Sequence, residues 1–182
     1  YDMAGTTPKD VKVFLNDEEI KIKDFKSYCD MYMPKAEELE LTGGQKKAVM
    51  FEKVNERWEV GICESADEIE QQVSFVNSIA TTTGGTHVRM VQRLVSDHLH
   101  AFLKKKHKKE VKVSQIKKNL WVFVKALIVN PTFGSQTKEE LKTKESEFEG
   151  KKKKGKKADF SCTLSEKFLK KLEKSDIVAA VL

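Results

Sequence analysis

The sequence predicts an α+β fold, a mixed β-sheet with helices packed on it, and three observations predict it. Short stretches of alternating apolar and polar residues pair up around polar turns. One long segment instead repeats its apolar residues at helical spacing. That segment is flanked by two runs rich in β-branched and aromatic residues, the pattern of a βαβ unit. At 182 residues with 39% hydrophobic residues the chain fits one domain spanning 1–182, with material for a core.

Taken in order, Val11, Val13 and Leu15 alternate with polar residues and Ile20 and Ile22 alternate again, which predicts a hairpin around the acidic turn Asn16–Glu19. Phe25–Met33 carries Tyr28, Met31 and Tyr32 at helical spacing and predicts a short helix stopped at Pro34. A polar loop with Gly43 and Gly44 follows. Lys47–Val54 and Arg57–Cys63 alternate about Asn55 and Glu56, predicting a second hairpin with Trp58 and Val60 on one face. Val73–Ala80 reads as a buried strand. In Thr81–Thr86 a hydroxyl suited to capping follows turn-forming glycines, and Val88, Val91, Val95, Leu99 and Phe102 then mark a helix of about five turns from His87 into a lysine cluster. Leu120–Val129 completes the βαβ unit as a strand. Asn130–Lys144 is a polar loop opened by Pro131, Gly150–Lys157 is a low-complexity stretch expected to be disordered, and Leu164–Leu182 is a further helix.

Charge is focal. Lysine and arginine number 34 against 28 acids, a net charge of +6; setting aside five lysines in Lys104–Lys109 and six in Lys151–Lys157 leaves 23 against 28, or −5. A phosphate-bearing partner would therefore meet two sites rather than a broad basic face. Lys104, Lys105, Lys106, Lys108 and Lys109 end a helix, where cations complement the dipole, so a solvated terminus and a contact to DNA phosphates are both open readings. The second run has no interleaved aromatics and reads as a nonspecific tether.

Other chemistries find little support. The longest apolar run, Val122–Val129, is broken by Lys125 and is too short to cross a bilayer. Cys29, Cys63 and Cys162 lack C-x-x-C spacing and read as reduced packing residues of an intracellular protein. His98 and His100 point about 200° apart on a helix, so they do not share a metal, and no metal site is expected. No spacing marks a nucleophile with its base, and Gly84 and Gly85 lack the rest of a Walker loop. Tyr1 in place of methionine, with no leader after it, reads as a piece of a longer polypeptide.

Three phrases carry a resemblance: F-V-N-S-I-A-T at 75–81, G-G-T-H at 84–87 and N-P-T-F-x-S-Q-T-K at 130–138. Together they resemble the transducer domain in the ATPase region of eukaryotic type IIA DNA topoisomerase. The opening Tyr1–Gly5 and Val11–Asn16 resemble its junction with the nucleotide-binding domain, assigned to residues 1–9, and Ser165, Glu166, Lys167 and Phe168 resemble the start of its later helix. The resemblance implies a ribosomal protein S-five-type fold with a left-handed βαβ crossover, where general rules favour the right hand. It implies a nuclear, homodimeric enzyme of the GHKL ATPase class that uses ATP to close a gate while passing one DNA duplex through another. Gln136, Thr137 and Lys138 match the loop that touches the ATP γ-phosphate, and Lys104, Lys105 and Lys106 fall where the family carries a lysine-rich loop implicated in DNA contact. ATP and Mg2+ would be held mainly by the nucleotide-binding domain of the same polypeptide, so no complete catalytic set is expected here and the chain alone should be inactive. The insertion at 150–158 has no counterpart. A nonspecific DNA-binding module acting through its lysine runs is the alternative, and a small stand-alone enzyme is a further rival.

Overall fold

The computed structural model describes residues 1–35, 41, 48–65, 68–148 and 161–182. The glycine loop at 43–44 and the lysine run at 151–157 lie outside the described residues. The chain divides into two compact units, Tyr1–Val49 and Met50–Leu182.

The first unit holds helix α1 (Asp2–Thr6), strands β1 (Phe14–Leu15) and β2 (Glu18–Glu19), and helix α2 (Phe25–Asp30). The expected hairpin is present but tighter. Asn16 and Asp17 take φ of 50° and 65°, a two-residue turn whose twist suits a hairpin, so Glu18 and Glu19 belong to the returning strand. Helix α2 ends before Pro34, at Asp30, and Asp24 caps its start by accepting a hydrogen bond from the Ser27 N–H at 2.8 Å. Burial opposes ionisation of Asp24, yet the Ser27 N–H and hydroxyl and the Lys9 ammonium bring its pKa down to about 2. Tyr28 is buried and its hydroxyl donates to Asp2 at 2.8 Å, while a Cβ on Gly5 would lie 2.6 Å from the Tyr28 ring.

The second unit is built on a five-stranded sheet in the order β3-β4-β8-β5-β6. Its strands are β3 (Met50–Asn55), β4 (Trp58–Glu64), β5 (Gln71–Val76), β6 (Ile79–Ala80) and β8 (Leu120–Ala126). Strand β8 is antiparallel to β4 and parallel to β5, which makes the sheet mixed. Helix α3 (Thr86–His107) connects β5 and β6 to β8. The expected strand 73–80 is thus two strands. Asn77 and Ser78 turn the chain with φ of 51° and 64°, and the Asn77 side chain accepts from the Ile128 N–H at 2.9 Å and donates to the Ile128 carbonyl at 3.0 Å. An asparagine placed to adopt a left-handed turn outweighs the apolar run around it.

The core lies where α3 meets the sheet. Val88, Val91, Val95, Leu99 and Leu103 recur every three or four residues and pack with Trp58, Val60, Ile62, Val122 and Val124. Leu99, at 1% exposure, stands for the rest: truncation to alanine would cost roughly 2–5 kcal/mol. Phe102, expected on this face, is only half-buried, and Leu103 takes the core position. A short helix α4 (Val113–Lys118) lies between α3 and β8, held by the fully buried Ile116. The C-terminal segment is two helices, α5 (Glu166–Leu172), capped by the Ser165 hydroxyl on the Phe168 N–H, and α6 (Asp176–Val181). Leu172 and Ile177 are both fully buried, and five residues of unbroken helix would set them about 140° apart, so the turn between them lets both reach the core. All three cysteines are buried and none forms a disulfide. Among the described residues no helix is long and apolar enough to cross a membrane.

Candidate functional site

Residues 130–144, read from sequence as a polar loop, fold back on themselves. Gly134 N–H donates to the Glu140 carbonyl at 2.9 Å, Lys142 N–H to the Thr132 carbonyl at 2.8 Å, and Thr132 N–H to the Thr143 hydroxyl at 2.7 Å. Phe133 bridges Leu141, whose side chain is fully buried and pins the returning limb to the core. Gln136, Thr137 and Lys138 therefore share the tip of a braced hairpin. At the tip the Lys138 N–H closes a turn onto the Ser135 carbonyl at 3.1 Å, and the hydroxyls of Ser135 and Thr137 lie 2.6 Å apart. Lys138 has φ of 60°, a conformation that costs a side-chain-bearing residue roughly 1–2 kcal/mol. Gln136 and Thr137 are exposed and Lys138 is half-exposed. Among the described residues no carboxylate pairs with the Lys138 ammonium, because neighbouring Glu140 is taken by Lys142 at 2.7 Å and Arg89 at 3.4 Å. The hydrogen bond from Lys142, with support from Arg89, holds the Glu140 carboxyl below its usual range.

The returning limb also joins α3. Its strand β9 (Glu140–Leu141) pairs in parallel with β7 (Gly84–Gly85), the two residues before the helix. Gly85, at φ 139°, is where the limb comes closest: a Cβ there would sit 2.5 Å from the Leu141 carbonyl oxygen. Thr83 donates from both N–H and hydroxyl to the Glu139 carbonyl, at 3.0 and 2.9 Å. Thr86 does not cap the helix as its hydroxyl suggested. Gly85 is the capping residue, and the Thr86 hydroxyl donates to the Thr143 carbonyl at 2.6 Å. Next along the same face come the ion pairs Arg89–Glu140 and, at 2.6 Å, Arg93–Glu145. Sequence reading missed this seam. Its only advance signal is the spacing of Thr86, Arg89 and Arg93 on one helical face, with acids at 140 and 145 to meet the two arginines.

Behind the seam is a buried polar cluster. His87 is fully buried, its Nε2 lies 3.2 Å from the Thr81 hydroxyl, and that hydroxyl is 2.5 Å from Ser74. Burial, aided by Arg89, lowers the His87 pKa to about 3, so the ring is neutral at physiological pH.

The lysine cluster occupies the opposite end of α3. With 22 residues the helix is about 33 Å long, so the cluster and the hairpin tip sit at far ends of one element. Lys104, Lys105, Lys106, Lys108 and Lys109 are all exposed. Lys108 ends the helix at φ 52°, Lys106 lies 5.2 Å from the centre of the Phe102 ring, and Lys109 donates to the Leu182 carbonyl at 2.5 Å. His98 points elsewhere than His100 and pairs with Glu173 at 3.0 Å. Among the described residues no group of histidine, cysteine and acidic side chains is placed to hold a metal ion.

Comparison with known proteins places this geometry in context. The profile of the DNA gyrase B family matches residues 24–182. DNA topoisomerase 2 of Arabidopsis thaliana is 45% identical over 183 residues, covering 100% of this chain and 12% of the relative. Human DNA topoisomerase 2-alpha is 45% identical over 184 residues, covering 100% of this chain and 11% of the relative. The chain thus spans about an eighth of the length of these curated relatives. Among solved structures, the ATPase and transducer domains of DNA topoisomerase II from Balamuthia mandrillaris superpose with a TM-score of 0.81 at 34% identity, over 99% of this chain and 40% of that one. The ATPase region of Saccharomyces cerevisiae topoisomerase II bound to ICRF-187 (dexrazoxane) gives 0.77 at 36% identity, over 98% and 41%.

Proposed function

The chain belongs to the DNA gyrase B family and is homologous over its length to eukaryotic type II DNA topoisomerases, and from that premise we propose that it is the transducer of such an enzyme, coupling ATP binding and hydrolysis to closure of a dimer gate during DNA strand passage. The observation that carries this reading is the hairpin tip, where Gln136, Thr137 and Lys138 stand together on two braced limbs with no carboxylate among the described residues paired to the Lys138 ammonium. In the assembled enzyme that ammonium would meet the γ-phosphate of ATP bound by the nucleotide-binding domain, and the contact would vanish when the phosphate leaves. An ammonium on a pre-folded loop suits this task, since it discriminates ATP from ADP by a charge at a single position. The rest of the catalytic set, with the Mg2+ site, belongs to the nucleotide-binding domain in this reading, so the chain alone hydrolyses nothing. Lys104, Lys105, Lys106, Lys108 and Lys109 would contact DNA phosphates, in the nucleus, in a homodimer of the whole enzyme. Residues 1–182 act in this reading as one transducer, entered through a junction at residues 1–9.

The test is Lys138→Ala in the full-length enzyme. A charge-assisted contact is worth about 1.5–3 kcal/mol, or roughly ten- to a hundredfold in the closed-to-open equilibrium. Gate closure driven by a nonhydrolysable ATP analogue should fall by that factor while ADP affinity holds, with Gln136→Ala acting in the same direction more weakly. Normal closure by Lys138→Ala, or equal loss of ATP and ADP affinity, would remove the γ-phosphate role.

A further inference from the structure

The tip and the lysine cluster are tied to one helix by unequal means. The cluster is part of α3 itself, whereas the hairpin is a separate excursion of the chain that returns to α3 only along the seam. The seam follows the helix in steps of three and four residues: Thr86 onto the Thr143 carbonyl, Arg89 onto Glu140, Arg93 onto Glu145. Those spacings keep all three side chains on one face over two turns. The acids that the two arginines meet lie on the limb that leaves Lys138, with Glu145 opening the 3₁₀ turn Glu145–Glu147 that ends the limb. Backbone bonding holds the limb to the residues before α3 over the short stretch 139–141, through Thr83 with Glu139, Gly84 with Glu140 and Gly85 with Leu141. Two arginines reaching from a rigid helix thus extend a short attachment into a longer one.

We infer that Arg89 and Arg93 are positioning residues that fasten the 139–145 limb to α3, so that the Lys138 tip and the lysine cluster move as the two ends of one lever and DNA at one end is felt at the other. This rests on the γ-phosphate reading of Lys138 and adds its regulation. The arginines are engaged with limb carboxylates and act by fixing where the limb sits. Both pairs are about half solvent-exposed, and exposed pairs of this kind alter an equilibrium by up to roughly fivefold each. The coupling would accordingly be graded rather than all-or-none, and weakened by salt.

Arg93 is the cleaner probe, because Glu140 also has Lys142 as a partner whereas Glu145 has Arg93 alone among the ion pairs of the described residues. In the full-length enzyme, Arg93→Glu should speed amide exchange across 132–143 and lower the ratio of DNA-stimulated to basal ATPase two- to fivefold. Adding Glu145→Arg to Arg93→Glu should restore both. The inference is overturned if exchange does not change, if exchange quickens while the ratio stays at the parent value, or if the charge-swapped pair rescues neither. Lys138→Ala assayed alongside reports separately on the reading beneath: normal analogue-driven closure would sink the γ-phosphate role, while rescue by the swapped pair would still decide whether the seam links α3 to turnover.

Discussion

Replacing Gly85 with alanine puts the attachment of the hairpin under direct test. The residue sits at φ 139°, in a region essentially reserved for glycine, and the strain of holding alanine there is about 1–3 kcal/mol. A methyl group at that point would lie 2.5 Å from the Leu141 carbonyl oxygen and 2.6 Å from its amide nitrogen. Both are backbone atoms of a residue whose side chain is fully buried, so the limb has no soft direction in which to yield, and overpacking adds about 1–3 kcal/mol. The sum is about 4 kcal/mol, which for a chain of this size lowers the melting temperature by on the order of 10 °C. Thermal unfolding followed by circular dichroism measures it. Gly134→Ala is the control, since its Cβ would press only lightly on the flexible end of Lys142 at 3.3 Å, with an ordinary contact to the Glu140 carboxylate at 3.7 Å, and should change stability by less than about 0.5 kcal/mol. If Gly85→Ala melts within two or three degrees of the parent, about what a 1 kcal/mol loss would give, the limb is not pressed onto the helix start and the reasoning fails.

Two further outcomes are expected. Replacing Lys104, Lys105 and Lys106 with alanine in the full-length enzyme should reduce the slope of log affinity for DNA against log salt by about 2 to 3 and weaken DNA stimulation of the ATPase; an unchanged slope would make the cluster a solvated helix end. His87 has its folded pKa lowered from 6.5 to about 3, so between those values the unfolded chain binds the proton and the folded chain does not. Stability contributed by the neutral ring is fully present above about pH 6.5 and drains away as pH falls toward 3, by up to about 1.4 kcal/mol per pH unit. Urea unfolding of the parent and of His87→Gln between pH 6.5 and 4.5 should show the shallower pH dependence in the variant, and equal slopes would mean that the ring is not held neutral.

Periodicity carried the larger elements. The spacing of Val88, Val91, Val95 and Leu99 announced α3, and alternation about Asn55 and Glu56 announced the β3–β4 hairpin. What periodicity could not deliver was decided at single residues or over long sequence distances. Asn77 and Ser78 hid a turn inside an apolar run because their left-handed φ values leave no trace in hydropathy. The break between α5 and α6 follows from where Leu172 and Ile177 must point, which depends on the core they join. The seam joins residues 83–93 to 139–145, and pairing across some fifty residues is written in no local pattern. Gln136, Thr137 and Lys138 were legible as a motif, while the limbs that hold them up were not.

The position of β8 bears on how the chain is made. It is the last strand of the main sheet to be synthesised, yet it lies at the centre, bonded on one side to β4 and on the other to β5. Until residue 126 has left the ribosome, the two hairpins on either side exist without the strand that unites them, each with an inner edge of unpaired N–H and carbonyl groups and with Val60, Ile62 and Phe75 uncovered by it. Sheet closure then requires Trp58 to find Ala126 and Glu64 to find Leu120, contacts of high sequence separation that slow folding. Nascent chains halted between residues 80 and 119 are therefore the aggregation-prone species, and a chaperone acting during synthesis would find its substrate in that interval.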